Sequence, residues 1–169
     1  MEVAGVHIES LPCIHQGEHS SLYLQDPSDY GVPVVWKLPH IGATSRDTVH
    51  LANEYSQTRG LSIPGVRRAL DFVSVDGEHA LVLEYVSGFS LRERLDDCPM
   101  GVDEALEAAA AVAGVLGALA REGIVHGNIC SENILIEEKE RPTTLVGFGL
   151  AFGRARTTHT VIRRGGCEI

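Results

Sequence analysis

Ile124-Val125-His126-Gly127-Asn128-Ile129-Cys130-Ser131-Glu132-Asn133-Ile134-Leu135-Ile136 is the stretch that decides the reading of this chain. It follows Asp103 to Glu122, the clearest helix in the sequence. That helix is Ala-rich, carries Asp103 and Glu104 near its positive end, and stops at Gly123. From Ala108 to Ala120 it is apolar nearly all round, so it expects partners on most sides. The stretch ends in Ile134 to Ile136, a short strand, and Thr143 to Val146 reads as another. Between helix and strand stand His126, Asn128, Cys130 and Asn133. Fourteen residues after Asn133 comes Gly147-Phe148-Gly149.

The 169 residues suit one domain, and a hydrophobic content of 44% is enough for a core. The formal net charge of -9 leaves no basic excess to neutralise phosphates, which argues against nucleic acid. The four cysteines, Cys13, Cys98, Cys130 and Cys167, form no C-x-x-C pair. Scattered thiols favour a reduced, cytoplasmic setting over a disulfide scaffold or a zinc site. The N-terminus lacks the basic flank and apolar run of a signal peptide. The longest apolar stretch has thirteen residues. A membrane span needs ~20, so none is expected.

Upstream, Val6 to Ile14 reads as a first strand and Ser20 to Gln25 as a second. Asp26 to Gly31 is dense in turn formers, and Val34 to Leu38 is a compact strand. Arg46 to Arg59 reads as a helix with a partial apolar stripe of Val49, Ala52, Tyr55 and Gln57, ending at Gly60. Ala69 to Val75 and His79 to Tyr85 read as a hairpin turning at Asp76-Gly77. Leu91 to Leu95 reads as a helical turn or two. From Leu150 the sequence carries Arg, Thr and Gly without apolar period, which reads as a poorly ordered tail.

From about residue 6 to 152 this order of elements resembles a protein kinase. The family's catalytic loop is H-R-D-L-x-x-x-N. His126 and Asn133 match it, Gly127 stands for the Arg, and Asn128 stands for the catalytic-base Asp. Gly147-Phe148-Gly149 stands where the family has Asp-Phe-Gly. Lys37, in Val34-Val35-Trp36-Lys37, matches the Lys of V-A-I-K, and Glu54, seventeen residues on, matches its helix partner. Leu83-Glu84-Tyr85-Val86 resembles the adenine-binding hinge, with Leu83 as gatekeeper and Glu84 and Val86 beside it. The three places of the glycine-rich loop fall on His15, Gly17 and Ser20, so only Gly17 survives. His15 and His19 lack the acidic or Cys partners of a metal pair. His126-Gly127-Asn128-Ile129-Cys130 is also close to the H-G-N-x-C loop of Janus-kinase pseudokinase domains. H-G-N occurs in plant receptor-like kinases as well. The H-G-D loop of aminoglycoside and choline phosphotransferases differs at Asn128.

The resemblance implies an α+β fold with a five-stranded antiparallel N-lobe sheet, one helix and a partial helical C-lobe. The expected divisions are residues 1–86, 87–152 and a tail, 153–169. It also implies failed chemistry. Asn128 cannot accept the substrate proton usefully, a loss typically worth ~10²–10⁴-fold in rate. Cys130 stands where serine/threonine kinases usually place a phosphate-neutralising Lys. Gly147 has no ligand for Mg²⁺, and Asn133 alone is a poor site for an oxygen-seeking dication. No A-P-E follows within the twenty residues after Gly149. The expectation is therefore a truncated pseudokinase with at most weak ATP binding and no Mg²⁺. Its partners would be a protein or a second copy of itself, with neither nucleic acid nor membrane. A low-activity serine/threonine kinase and a non-functional fragment are the alternatives.

Overall fold

The nearly continuous apolar run Val34-Val35-Trp36-Lys37-Leu38 builds the centre of the larger sheet. Val34, Trp36 and Leu38 enter one buried cluster, while Val35 enters another on the opposite face. A strand buried on both faces needs cover on both sides. The computed structural model, which describes residues 1–3, 6–17, 19–26, 28–40, 45–75, 77–136 and 143–153, shows what supplies it. The expected tail lies outside these residues, Gly153 apart.

The N-terminal segment covers the outer face. Strands β1 (Glu2–Val3) and β2 (Val6–His7) form a small hairpin, followed by a 3-10 turn at Ile8–Ser10. Ile8 is fully buried against Val34, Trp36 and Val82, with Met1, Val3 and Leu11 packed around it. The continuous strand expected over Val6 to Ile14 is therefore broken. Ser10 Oγ donates to the His7 carbonyl at 2.6 Å, which holds the turn. Pro12 has no N–H for a ladder, and its carbonyl accepts from Leu24 N at 2.9 Å.

Strands β3 (Cys13–Gln16), β4 (Ser20–Gln25), β5 (Val34–Pro39), β6 (Ala69–Val75) and β7 (Glu78–Glu84) form one antiparallel sheet ordered β3-β4-β5-β7-β6. A bulge between Ala69 and Asp71 adds one residue to β6. Ala69 and Phe72 thereby reach the same cluster despite their odd spacing. Helix α1 (Ser45–Thr58) lies on the inner face, with Leu51 packed among Val35, Leu81 and Leu83. Its buried side is Leu51, Glu54, Gln57 and Thr58. Val49, expected in the apolar stripe, is 61% exposed, and Ala52 and Tyr55 are only partly covered. The helix is turned so that a carboxylate faces the sheet.

Beyond Glu84 the chain enters the smaller lobe through β8 (Phe89–Ser90), α2 (Leu91–Asp97), α3 (Val102–Arg121), β9 (Ile134–Ile136) and β10 (Thr143–Leu145). Ser90 and Glu93 form a capping box that starts α2. Strands β10, β9 and β8 make a three-stranded antiparallel sheet. The lobe's core joins Val115 and Leu119 of α3 to Leu61, Val66, Ile124, Ile134, Leu145 and Phe148. The result is the expected bilobal α+β architecture, with a five-stranded sheet and helix in one lobe and a smaller helical second lobe. No helix among the described residues is long and apolar enough to cross a membrane.

These packing positions separate two isoleucines of one expected strand. Ile8→Ala should cost ~2–5 kcal/mol, as a large-to-small change in a closed core. Ile14→Ala, at a site 44% exposed, should stay within ~0.5 kcal/mol. Urea unfolding of both variants checks this. Equal effects would mean that the N-terminal segment does not seal the sheet.

Candidate active site

Lys37 shares the inner face of β5 with Val35, and the β5–β7 register sets it opposite Leu81. That position points its ammonium at α1. Lys37 Nζ donates to Glu54 Oε2 at 2.7 Å, so the expected pair is formed. Glu54 is 1% exposed. A second cation meets it there, because Arg67 Nη2 lies 3.8 Å from Glu54 Oε1. Burial pushes the Glu54 carboxyl upward, but Lys37, Arg67 and the Phe148 backbone amide outweigh it and hold it below the ordinary glutamate value. Burial pulls the Arg67 guanidinium below its ordinary value, and Glu54 offsets part of that.

The loop after α3 is assembled by the backbone. Val125 and Phe152 exchange hydrogen bonds at 2.8 and 3.0 Å. His126 is buried, with Nε2 donating to the Val146 carbonyl at 2.9 Å and Nδ1 accepting from Asn128 N at 3.2 Å. These partners assign the neutral tautomer with its proton on Nε2. The imidazole packs on buried Phe148, centroid to centroid at 4.4 Å. Asn133 Nδ2 donates to the Asn128 carbonyl at 3.0 Å, and Val146 N donates to the Asn133 carbonyl at 3.0 Å. Asn53 on α1 donates to the carbonyls of Gly149 and Ala151 at 2.9 and 2.8 Å. One helix thus holds both Glu54 and the segment around Phe148.

A cavity of about 430 Å³ lies between the sheets. It is lined by Leu22, Val35 and Lys37 from above and by Asn133, Leu135 and Gly147 from below. Val86 and Arg67 also line it. A neighbouring cavity of about 780 Å³ shares Lys37, Asn133 and Gly147 and adds Gly17 and Asn128. The structure therefore gathers Gly17, Lys37, Val86, Asn128, Asn133 and Gly147 around one cleft. Leu83 is buried in the inner-face core and lines neither cavity. Glu84 turns outward and accepts from Arg68 Nε at 2.8 Å. Cys130 is a partly buried free thiol at the start of the turn Ser131–Asn133. His15 and His19 line different cavities. Among the described residues no group of three or more His, Cys, Asp or Glu could hold a metal ion.

Residues 12–166 match the family model described as protein tyrosine and serine/threonine kinase. This chain is a member of that family. The match runs past Phe152, into residues outside the described ones. The chain is 28% identical to the KEOPS complex subunit Bud32 of Pyrococcus abyssi, over 83% of this chain and 67% of that protein. It is 31% identical to the serine/threonine-protein kinase pkn2 of Myxococcus xanthus over 80% of this chain. It is 26% identical to the serine/threonine-protein kinase PkaB of Streptomyces coelicolor, also over 80%. It spans only 17% and 34% of those two kinases.

At the floor of the cleft Gly147 carries no side-chain donor. Gly147 takes a left-handed conformation, φ +77°. The Asn133 amide fills the space a Cβ there would need, its Cγ at 2.6 Å. Aspartate tolerates that backbone better than most residues. The obstruction is Asn133, which would have to leave its bond to the Asn128 carbonyl. Gly127, φ +78°, is equally confined, since a Cβ there would strike the Leu150 carbonyl.

Two site residues escape a motif reading. Asn53 matches no motif, although it adjoins Glu54. Arg67 matches none either, and its direction follows only from the structure. Neighbours in an extended chain point to opposite sides. With Arg68 outward on Glu84, Arg67 must face inward.

The triad orders two substitutions. Glu54→Ala leaves the buried Arg67 and the partly buried Lys37 without their carboxylate and should cost ~3–5 kcal/mol. Lys37→Ala leaves Glu54 with Arg67 and should cost distinctly less. Denaturant unfolding measures both, and the reverse order would remove Arg67 from the account.

Burial holds the His126 pKa below its ordinary 6.5, against the Val146 carbonyl and the Glu54 charge. The unfolded chain then binds the proton first. This contribution is complete above 6.5 and is lost as pH falls from there toward the folded value. His126→Asn should flatten the unfolding midpoint over that window relative to wild type. Parallel curves for the two proteins would contradict the neutral assignment.

Proposed function

We propose that this kinase-family chain is a catalytically inactive binding module, holding nucleotide weakly and without Mg²⁺. The observation that carries the reading is the floor of the cleft. Phosphoryl transfer depends on a positioned base and on metal-held phosphates. Here Asn128 offers an amide at the base position. Gly147 offers nothing at the metal position, and the Asn133 side chain occupies the room an acid would need. Lys37 remains available to a phosphate, and Tyr85 and Val86 line the cleft where adenine would meet backbone.

A protein partner is proposed on the surface of α3. Val102 and Leu106 are 76% and 63% exposed, and Ala109 and Ala113 are exposed beside them. Leu116, on the same helix, packs on the core with Val112. The Bud32 relative is named as the subunit of a complex, which suits a kinase-like domain that works by assembly.

The competing reading is a low-activity serine/threonine kinase. The formed Lys37–Glu54 pair and the inward Phe148 favour it, since both accompany a cleft arranged for ATP. Labelled-phosphate transfer to the chain and to a generic substrate protein decides between them. No transfer above background is expected with Mg²⁺ or Mn²⁺. Asn128→Asp with Gly147→Asp should restore little, because Cys130 and the Asn133 obstruction persist. Robust autophosphorylation by the unmodified chain, abolished in Lys37→Ala, would falsify the inactive reading.

A further inference from the structure

We propose that Arg67 is a second cation of the cleft and that, with Lys37, it takes a metal-free polyphosphate chain such as that of a nucleoside di- or triphosphate. The inference rests on the nucleotide-binding reading above and gives it a chemical basis.

The charges around Glu54 do not balance. Glu54 is a single carboxylate facing two cations, Lys37 at 2.7 Å and Arg67 at 3.8 Å. The longer of these is too long for a strong charge-assisted hydrogen bond. Arg67 is 7% exposed, and its Nε is buried with no partner. A guanidinium has five donors and no acceptor, so an unfilled buried donor is an expensive arrangement unless an acceptor arrives. Arg67 lines the same cavity of about 430 Å³ as Lys37, Asn133 and Gly147. The position that would carry a metal-binding acid is thus bare, while a fixed cation stands in the same space. Phosphate oxygens that otherwise need a dication can be met there by a planar, bidentate donor. The rim carboxylates Glu93 and Glu132 also line this cavity, but both are exposed and already accept from Ser90 and Ser131.

The test is calorimetric titration of the full chain with ATP, inorganic tripolyphosphate and adenosine, each in EDTA. Wild type should bind ATP and tripolyphosphate without metal. Arg67→Met should weaken both by ~10-fold or more, Arg67→Lys should retain most of the affinity, and adenosine should be unaffected. Because Arg67→Met removes part of a buried triad, a second measurement uses the wild-type protein alone. The Arg67 Nε–Hε resonance should shift on addition of tripolyphosphate. An unmoved resonance, or equal ATP affinity in Arg67→Met, would reduce Arg67 to a strut for α1 and overturn the proposal. Adenosine binding without any contribution from phosphate would overturn it while leaving nucleotide recognition intact. Failure of ATP and adenosine alike would remove both. The inactivity reading is judged separately, by phosphate transfer.

Discussion

Glu54 is the constraint on which the rest of the structure depends. A carboxylate buried to 1% exposure must be surrounded by positive charge or donors, or it will not stay ionised. Lys37 arrives from the centre of the sheet, Arg67 from the approach to β6, and the Phe148 amide from the second lobe. Three separate parts of the chain are therefore brought to one atom group. The helix that carries Glu54 cannot rotate about its axis without exposing it. That explains why α1 sacrifices Val49 to solvent and buries Thr58, whose hydroxyl donates to the Glu54 carbonyl at 2.7 Å. Asn53, the next residue on the helix, then lies within reach of the Gly149 and Ala151 carbonyls. The lobes are joined by polar contacts that only one phase of α1 permits.

What was legible in the sequence follows from how local each cause is. Runs of branched and apolar residues in Val34 to Leu38 and His79 to Tyr85 are a property of neighbouring residues, so those strands could be read directly. The long helix α3, its Gly123 stop and its bare surface were legible for the same reason. Lys37, Glu54, His126 and Asn133 were found through fixed spacing. The misreadings have distant causes. The break at Ile8–Ser10 exists because Ile8 drops onto Trp36 and Val82, far along the chain. The turned phase of α1 depends on Arg67, thirteen residues beyond Glu54 and outside any pattern. The cover of Leu116, the strand and loop core around Ile134 and Leu145, is likewise assembled only in three dimensions.

The floor of the cleft keeps its form with Asn128 and Gly147 because the side chains at these two positions are not what supports it. His126 is held by the Val146 carbonyl and the Asn128 backbone amide, and Asn133 by the Asn128 carbonyl. In both bonds residue 128 contributes its backbone alone. An amide at that position therefore leaves the scaffold unchanged. The same holds at residue 147, where the supporting bonds come from the neighbours Val146 and Phe148. Glycine there relaxes a left-handed backbone and admits the Asn133 amide into the space above it. Chemistry and architecture are separable in this fold: the reacting groups are side chains, and the contacts that set the loop are made by the backbone, by His126 and by Asn133. At the back of the cleft Glu54 faces two cations, Lys37 and Arg67.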